Sequence, residues 1–159
     1  MPTTISADTA AFTVRQAVFA DLDKLVPMFD RYRQFYKRPG DLDAARSFLT
    51  ERFNHGESVL FIAEDGDKSL GFTQLYPGFS SLSMARRFTL NDLFVEESAR
   101  RRGVGQALLG AAADYGKSVG ANALGLSTAR TNLTAQALYK SNGWVRDEVY
   151  LEYSLGLRG

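Results

Sequence analysis

The sequence predicts an α/β protein, with one mixed, twisted sheet, helices on both faces and elements in the order β-α-α-β-β-β-α-β-α-β. Three observations lead there. Strand-like runs at 12–16, 58–64, 70–76 and 87–95 are separated by turn residues. Val104, Ala107, Leu108, Ala111, Ala112, Tyr115 and Val119 keep helical spacing. A basic, glycine-containing segment joins the strand ending at Val95 to that helix, so the strand beginning near Ala123 should return as a parallel neighbour.

Each element follows from local chemistry. Phe12 to Gln16 reads as the first strand, and Asp21 is placed to cap a helix carrying Leu22, Leu25, Val26, Phe29, Arg33 and Tyr36. Pro27 should kink that helix or reset its start. Pro39-Gly40 separates it from a second helix, opened by Asp41 or Asp43 and ended near Asn54-His55-Gly56. Ser58 to Glu64 and Leu70 to Tyr76 form a hairpin around Asp65-Gly66, with Tyr76-Pro77-Gly78 closing its second strand. Arg87 to Val95, a helix from Gly103 to about Gly120, and a strand at Ala123 to Thr128 come next. A helix from Asn132 to Gly143 precedes an aromatic strand from Trp144 to Tyr153.

Bulk properties narrow the function. A chain of 159 residues with 45% hydrophobic content suits one domain over 1–159, with 1–11 expected to be flexible. A net charge of +1 gives no general attraction to nucleic acid, and direct nucleic-acid binding is not expected. Cysteine is absent, which excludes disulfides, thiolate metal sites and an acyl-cysteine intermediate. No run approaches the roughly 20 apolar residues of a membrane span, and residues 1–11 lack a secretion pattern. The expected setting is cytoplasmic, with neither membrane nor metal involved.

The segment from Leu90 to Leu109 carries the most chemistry. It reads as a strand, a loop with Arg100, Arg101, Arg102, Gly103 and Gly105, and a helix start whose free amides suit a phosphate. A dinucleotide fingerprint would need a third glycine where Leu108 stands. Gly116-Lys117-Ser118 fails as a P-loop because Ala111 occupies the first glycine position. The remaining order is Arg100-x-x-Gly103-x-Gly105 after a strand.

That order resembles the acyl-CoA pyrophosphate loop of the GNAT superfamily of N-acetyltransferases. The resemblance continues through Ala123 to Thr128 and through Asn132 to Trp144, covering roughly 88–153. Gly71 to Pro77 and Leu90 to Val95 are most similar to Hpa-type histone and small-amine acetyltransferases, with polyamine acetyltransferases next. The resemblance implies a single GNAT-like domain that uses acetyl-CoA as co-substrate. Arg100, Arg101, Arg102, Gly103, Val104, Gly105 and Gln106 would hold its pyrophosphate. In the family two parallel strands splay, so Leu93, Phe94 and Val95 would meet the pantetheine arm through backbone atoms, with Asn132 and Ala135 also on that arm. Arg101 stands where the family usually has glycine, and Glu97 where it often has proline; a positive φ at Arg101 would carry strain.

For catalysis, Tyr139 is the candidate acid, because a phenol with a pKa of about 10 can protonate a departing thiolate. The same residue also fits a buried stripe with Ala135 and Leu138, and Asn132 also fits a helix cap. Relatives often place a base on the strand before the loop, where this chain has Asn91. Asp92, beside it, faces the other way on a regular strand, so either a bulge re-aims it as base or ammonium anchor, or water relays the proton. His55 fits a helix end better than a catalytic role, and Gly78-Phe79-Ser80-Ser81-Leu82 lacks the closing glycine of a nucleophile elbow.

Tyr32, Phe35, Tyr36, Gln74, Tyr76 and Phe79 are candidates for the acceptor site, where aromatic faces attract an alkylammonium. Acidic walls from Asp41, Asp43, Glu64 or Asp65 would favour a peptide or polyamine, although these residues equally suit caps and turns. The expected activity is acetyl transfer to a small amine, polyamine, amino acid or protein lysine by direct attack in a ternary complex. A noncatalytic acyl-CoA-binding or regulatory module on the same fold is the alternative. The aromatic C-terminal segment suggests a homodimer or higher homo-oligomer.

Overall fold

A computed structural model of the chain describes residues 3–7 and 10–158. The chain divides into two compact units, residues 1–127 and 128–159.

The first unit holds a sheet of six strands in the spatial order β1 (Thr3–Ala7), β2 (Ala10–Gln16), β3 (Val59–Asp65), β4 (Lys68–Ser80), β5 (Ala85–Val95), β6 (Ala123–Gly125). The first five pair antiparallel and β6 joins β5 in parallel, as the crossover predicts. β1 is an addition to the expected order, paired with β2 from Thr3–Val14 to Ala7–Ala10. Of the segment expected to be flexible, residues 1, 2, 8 and 9 lie outside the described residues, whereas 3–7 and 10–11 are strand.

Helices α1 (Leu22–Phe35) and α2 (Leu42–Asn54) cover one face, burying Leu25, Met28, Phe29, Ala45 and Leu49 with Leu60, Ile62 and Phe72 of the sheet. On the other face α3 (Val104–Ser118) brings Tyr115 against Phe61 and Phe88. Successive strand residues point to opposite faces, so Leu60 and Ile62 meet one helical layer and Phe61 the other.

Several local expectations are corrected. Asp21 does not cap α1 with its side chain; its carboxylate accepts the Val18 amide and both Nη atoms of Arg15. Asp41 is the cap of α2, accepting from the Ala44 amide at 3.0 Å. α1 runs through Pro27 as one helix. β4 continues past Tyr76-Pro77-Gly78 to Ser80, because β3 pairing stops at Val59–Leu75 and Pro77 then needs a partner on one side only.

In the second unit α4 (Leu133–Ser141) begins at its Asn132 cap and ends in a Schellman turn. The Gly143 amide bonds the Lys140 carbonyl, and the Trp144 amide bonds the Tyr139 carbonyl. The strand expected from Trp144 to Tyr153 is absent among the described residues. Asp147 takes the amides of Val149 and Tyr150 at 2.8 and 3.1 Å, bending the chain where a strand would need those donors for a ladder. Val149, Tyr150, Leu151 and Tyr153 are left exposed.

Candidate active site

The loop between β5 and α3 has the geometry of an anion cradle. The Glu96 amide ties its start to the Leu70 carbonyl, and a 3₁₀ turn over Glu97–Ala99 buries Ala99. Arg101 then adopts φ +64° and Gly103, the N-cap of α3, φ +79°. The first helical bond runs from the Ala107 amide to the Gly103 carbonyl, and no side chain caps the amides ahead of it. Those of Val104, Gly105 and Gln106 are therefore open to an anion at the positive end of α3. The strain foreseen at Arg101 is present.

The three arginines separate in role. Arg102 turns back to Asp65 at 3.4 Å and over the Phe12 ring at 6.0 Å, which ties the loop to the end of β3. Arg100 and Arg101 are exposed and make no ion pair among the described residues. Their charge is the mobile part of the cradle, while Arg102 fixes its frame.

Pairing between β5 and β6 ends at Thr89–Gly125, although β5 continues to Val95. Leu90 to Val95, including Leu93, Phe94 and Val95, thus lack a strand partner on that side among the described residues. Those backbone groups face that side without a ladder.

A cavity of about 590 Å³ opens on the α1–α2 side of the sheet. Phe29, Tyr32, Tyr36, Phe48 and Tyr76 form its aromatic walls. Asn91 and Asp92 reach it from β5, and Arg33 and Arg38 from the end of α1. Of the aromatic candidates Phe35 and Phe79 do not line it; Phe79 lies outside, under Arg86 at 5.0 Å. Sequence reading missed Phe29, Arg33, Arg38 and Phe48. Phe29 and Phe48 look like ordinary core positions, and their stacking at 5.8 Å comes from packing two helices together.

A β-bulge brings Asp92 there. Gln74 pairs with Asp92 and Leu75 with Leu90, so Asn91 is the extra residue. Before the bulge the even-numbered Phe88 packs on Tyr115 of α3; after it the even-numbered Phe94 packs on Tyr32 of α1. A regular strand would keep both on one face, so the inserted residue turns Asp92 into the cavity.

Asp92 is 3% exposed. Its carboxylate accepts Gln74 Nε2 at 2.6 Å and Asn91 Nδ2 at 3.0 Å, and the Tyr32 hydroxyl also bonds it. No cation pairs with it among the described residues. Burial therefore pushes its pKa up, against the pull of the three hydrogen bonds. Gln74 Oε1 is buried beside it with no partner among the described residues. Burial, followed by the Asp92 charge, also raises the pKa of Tyr76, which stays a neutral phenol.

In the second unit the Asn132 carbonyl oxygen accepts from the Ala135 amide at 3.2 Å, so Asn132 acts as the cap of α4. Tyr139 is half-buried and packs on Trp144 at 6.0 Å, the apolar contact that accompanies the Schellman turn. His55 caps α2, with Nδ1 2.9 Å from the Glu51 carbonyl.

Residues 23–144 match the model of the acetyltransferase (GNAT) family. The chain belongs to the GNAT acetyltransferase family. It is 45% identical over 144 residues to "Uncharacterized N-acetyltransferase YhfO" of Bacillus subtilis, covering 91% of this chain and 97% of that protein. A "Probable acetyltransferase" of Haemophilus influenzae is 38% identical over 96 residues, covering 60% of this chain and 66% of that one. Among solved structures, a probable acetyltransferase superposes with a TM-score of 0.86 at 39% identity, over 92% of this chain and 98% of that one. A ribosomal-protein-alanine N-acetyltransferase from Brucella melitensis, at 16% identity and a TM-score of 0.75, shares the fold. Family and fold place this GNAT chain among the acetyltransferases.

Proposed function

We propose that the protein transfers the acetyl group of acetyl-CoA to a primary amine by direct attack in a ternary complex. The observation that carries this reading is the bulge at Asn91, which turns a buried, uncompensated carboxylate into an aromatic cavity on the strand that leads to the anion cradle. Acetyl-CoA supplies an activated thioester. The amides of Val104, Gly105 and Gln106, with Arg100 and Arg101, hold its pyrophosphate, and the open edge of β5 holds the pantetheine amides.

In this reading an acceptor ammonium settles in the cavity against the faces of Tyr32 and Tyr76. Asp92 takes one of its protons, and the freed nitrogen lone pair attacks the thioester carbonyl carbon. The C–N bond forms and the C–S bond breaks with its electron pair on sulfur; the Tyr139 phenol protonates the thiolate, and the extra proton on the acylated nitrogen passes through water to the phenolate, leaving a neutral amide and a restored phenol. The role of Tyr139 rests on the family pattern of α4.

CoA release from acetyl-CoA against polyamines, amino acids, aminoglycosides and histone-tail peptides tests the reading, with the acetylated product identified by mass. Amine-dependent release is expected, and Tyr139→Phe should lower kcat while sparing acetyl-CoA affinity. Saturable acetyl-CoA binding with no release to any acceptor would favour a noncatalytic binding module. Light scattering on the same preparation tests the homodimer suggested by the exposed Val149, Tyr150, Leu151 and Tyr153, and a lone monomer would remove it.

A further inference from the structure

The charges around the cavity are asymmetric. Its floor carries one carboxylate, Asp92, and its rim carries two guanidiniums, Arg33 and Arg38. Neither arginine has a carboxylate partner among the described residues. Arg33 Nη1 donates to the Pro39 carbonyl at 3.2 Å, and Arg38 is exposed with no side-chain bond among the described residues.

Their placement is built into the end of α1. The Lys37 amide bonds the Gln34 carbonyl and the Arg38 amide the Arg33 carbonyl, with Lys37 at φ +63°. This turn folds the chain back so that Arg38 returns to the cavity beside Arg33.

Other nearby charges lie outside the lining. Arg52, which lies over Phe48, is shared between Glu51 and Glu57. Asp30 accepts from Gln34 Nε2 and the Asp41 amide and does not line the cavity. Of the acids that would have made a polyamine wall, Asp41 caps α2, Glu64 pairs with Arg15 and Lys24, Asp65 pairs with Arg102, and Asp43, in the first turn of α2, does not line the cavity. Even with Asp92 ionised, the lining is net positive.

Resting on the acetyltransferase reading, we propose that the acceptor is a small molecule carrying both an amine and a carboxylate, of amino-acid size. Its ammonium goes down to Asp92, its carboxylate stays at the rim with Arg33 and Arg38, and its apolar body lies between the aromatic walls. A cavity of about 590 Å³ holds such a molecule. A polyamine would bring a second ammonium to two unmatched guanidiniums, and like charges at close range select against it.

Matched pairs that differ only in the carboxylate provide the test: tyrosine and tyramine, phenylalanine and phenethylamine, lysine and cadaverine, with spermidine alongside. The carboxylate-bearing member should have a kcat/KM higher by roughly tenfold or more, chiefly through KM. Arg38→Gln, an exposed change, and separately Arg33→Gln should collapse the preference within each pair towards one. Equal or better turnover of the decarboxylated members, or a preference that survives both substitutions, would overturn the proposal while acetyl transfer stands. Saturable acetyl-CoA binding with no amine accepted, and no amine heat of binding by calorimetry, would overturn both this proposal and the acetyltransferase reading.

Discussion

Glu64 on β3 and Asp92 on β5 are both buried carboxylates of one sheet, 7% and 3% exposed, yet their surroundings drive them in opposite directions. Glu64 accepts from Arg15 at 2.7 Å and Lys24 at 2.6 Å, while Asp21 takes the other nitrogens of Arg15. Burial alone would raise the pKa of Glu64, but the two cations outweigh it and hold the carboxyl below the usual range; the Arg15 hydrogen bonds do the same for Asp21. Asp92 has only amide and hydroxyl donors, so burial prevails and its pKa rises. Matched charge locks β2, β3 and the start of α1 together. Unmatched charge is left facing the aromatic cavity.

The most severe break of that contrast is Asp92→Asn. It keeps the shape but removes the proton acceptor, and kcat/KM should fall about 100-fold or more with acetyl-CoA affinity retained. A value within twofold of wild type would dismiss Asp92 as base and leave the proton to a water relay. In the wild type the acid limb of the kcat/KM profile should lie above the ordinary carboxylate range, as the raised pKa requires.

Glu64→Gln should act on stability instead. It leaves Lys24 without a carboxylate and Arg15 with Asp21 alone. The expected loss is about 2 kcal/mol in denaturant unfolding, below the cost of opening a fully buried pair because Arg15 and Lys24 side chains remain 30% and 40% exposed. Turnover of this variant should change little; a hundredfold loss would mean that the cluster also shapes the active site.

The smallest effect is a stability difference that depends on pH. Asp21 and Glu64, with depressed pKa values in the fold, contribute stability that is present above about pH 4 and is lost as pH falls through their folded values. Asp92 runs the other way. Its contribution is full below the ordinary value of 3.8 and is lost as pH rises through the raised one. Melting temperatures of wild type and Asp92→Asn should therefore draw apart above pH 3.8, with the variant gaining, and a constant difference from pH 3 to 8 would contradict the unmatched charge.

Much of this was legible in sequence because it is local. The Asp41 and Asn132 caps, the Asp65-Gly66 hairpin and the α3 periodicity depend on residues within one or two turns of each other. The loop between β5 and α3 was readable for the same reason, since Arg100, Gly103 and Gly105 lie in one short segment. The C-terminal strand was misread because alternation describes one segment, whereas a strand needs a partner, and Asp147 claims its amides first.

The aromatic cavity was harder to read. Tyr32, Tyr36 and Tyr76 were recognisable as aromatic candidates, but nothing near Arg33 or Arg38 announces that a helix end will turn both towards a carboxylate more than 50 residues away. The sequence by itself determined the family, the order of most elements and the cradle, whose chemistry is carried by neighbouring backbone amides. Only the tertiary structure decided which face Asp92 occupies and which charges remain unmatched. One inserted residue in a β-ladder reverses the face of every later side chain, and charge balance is known only when distant segments have chosen their partners.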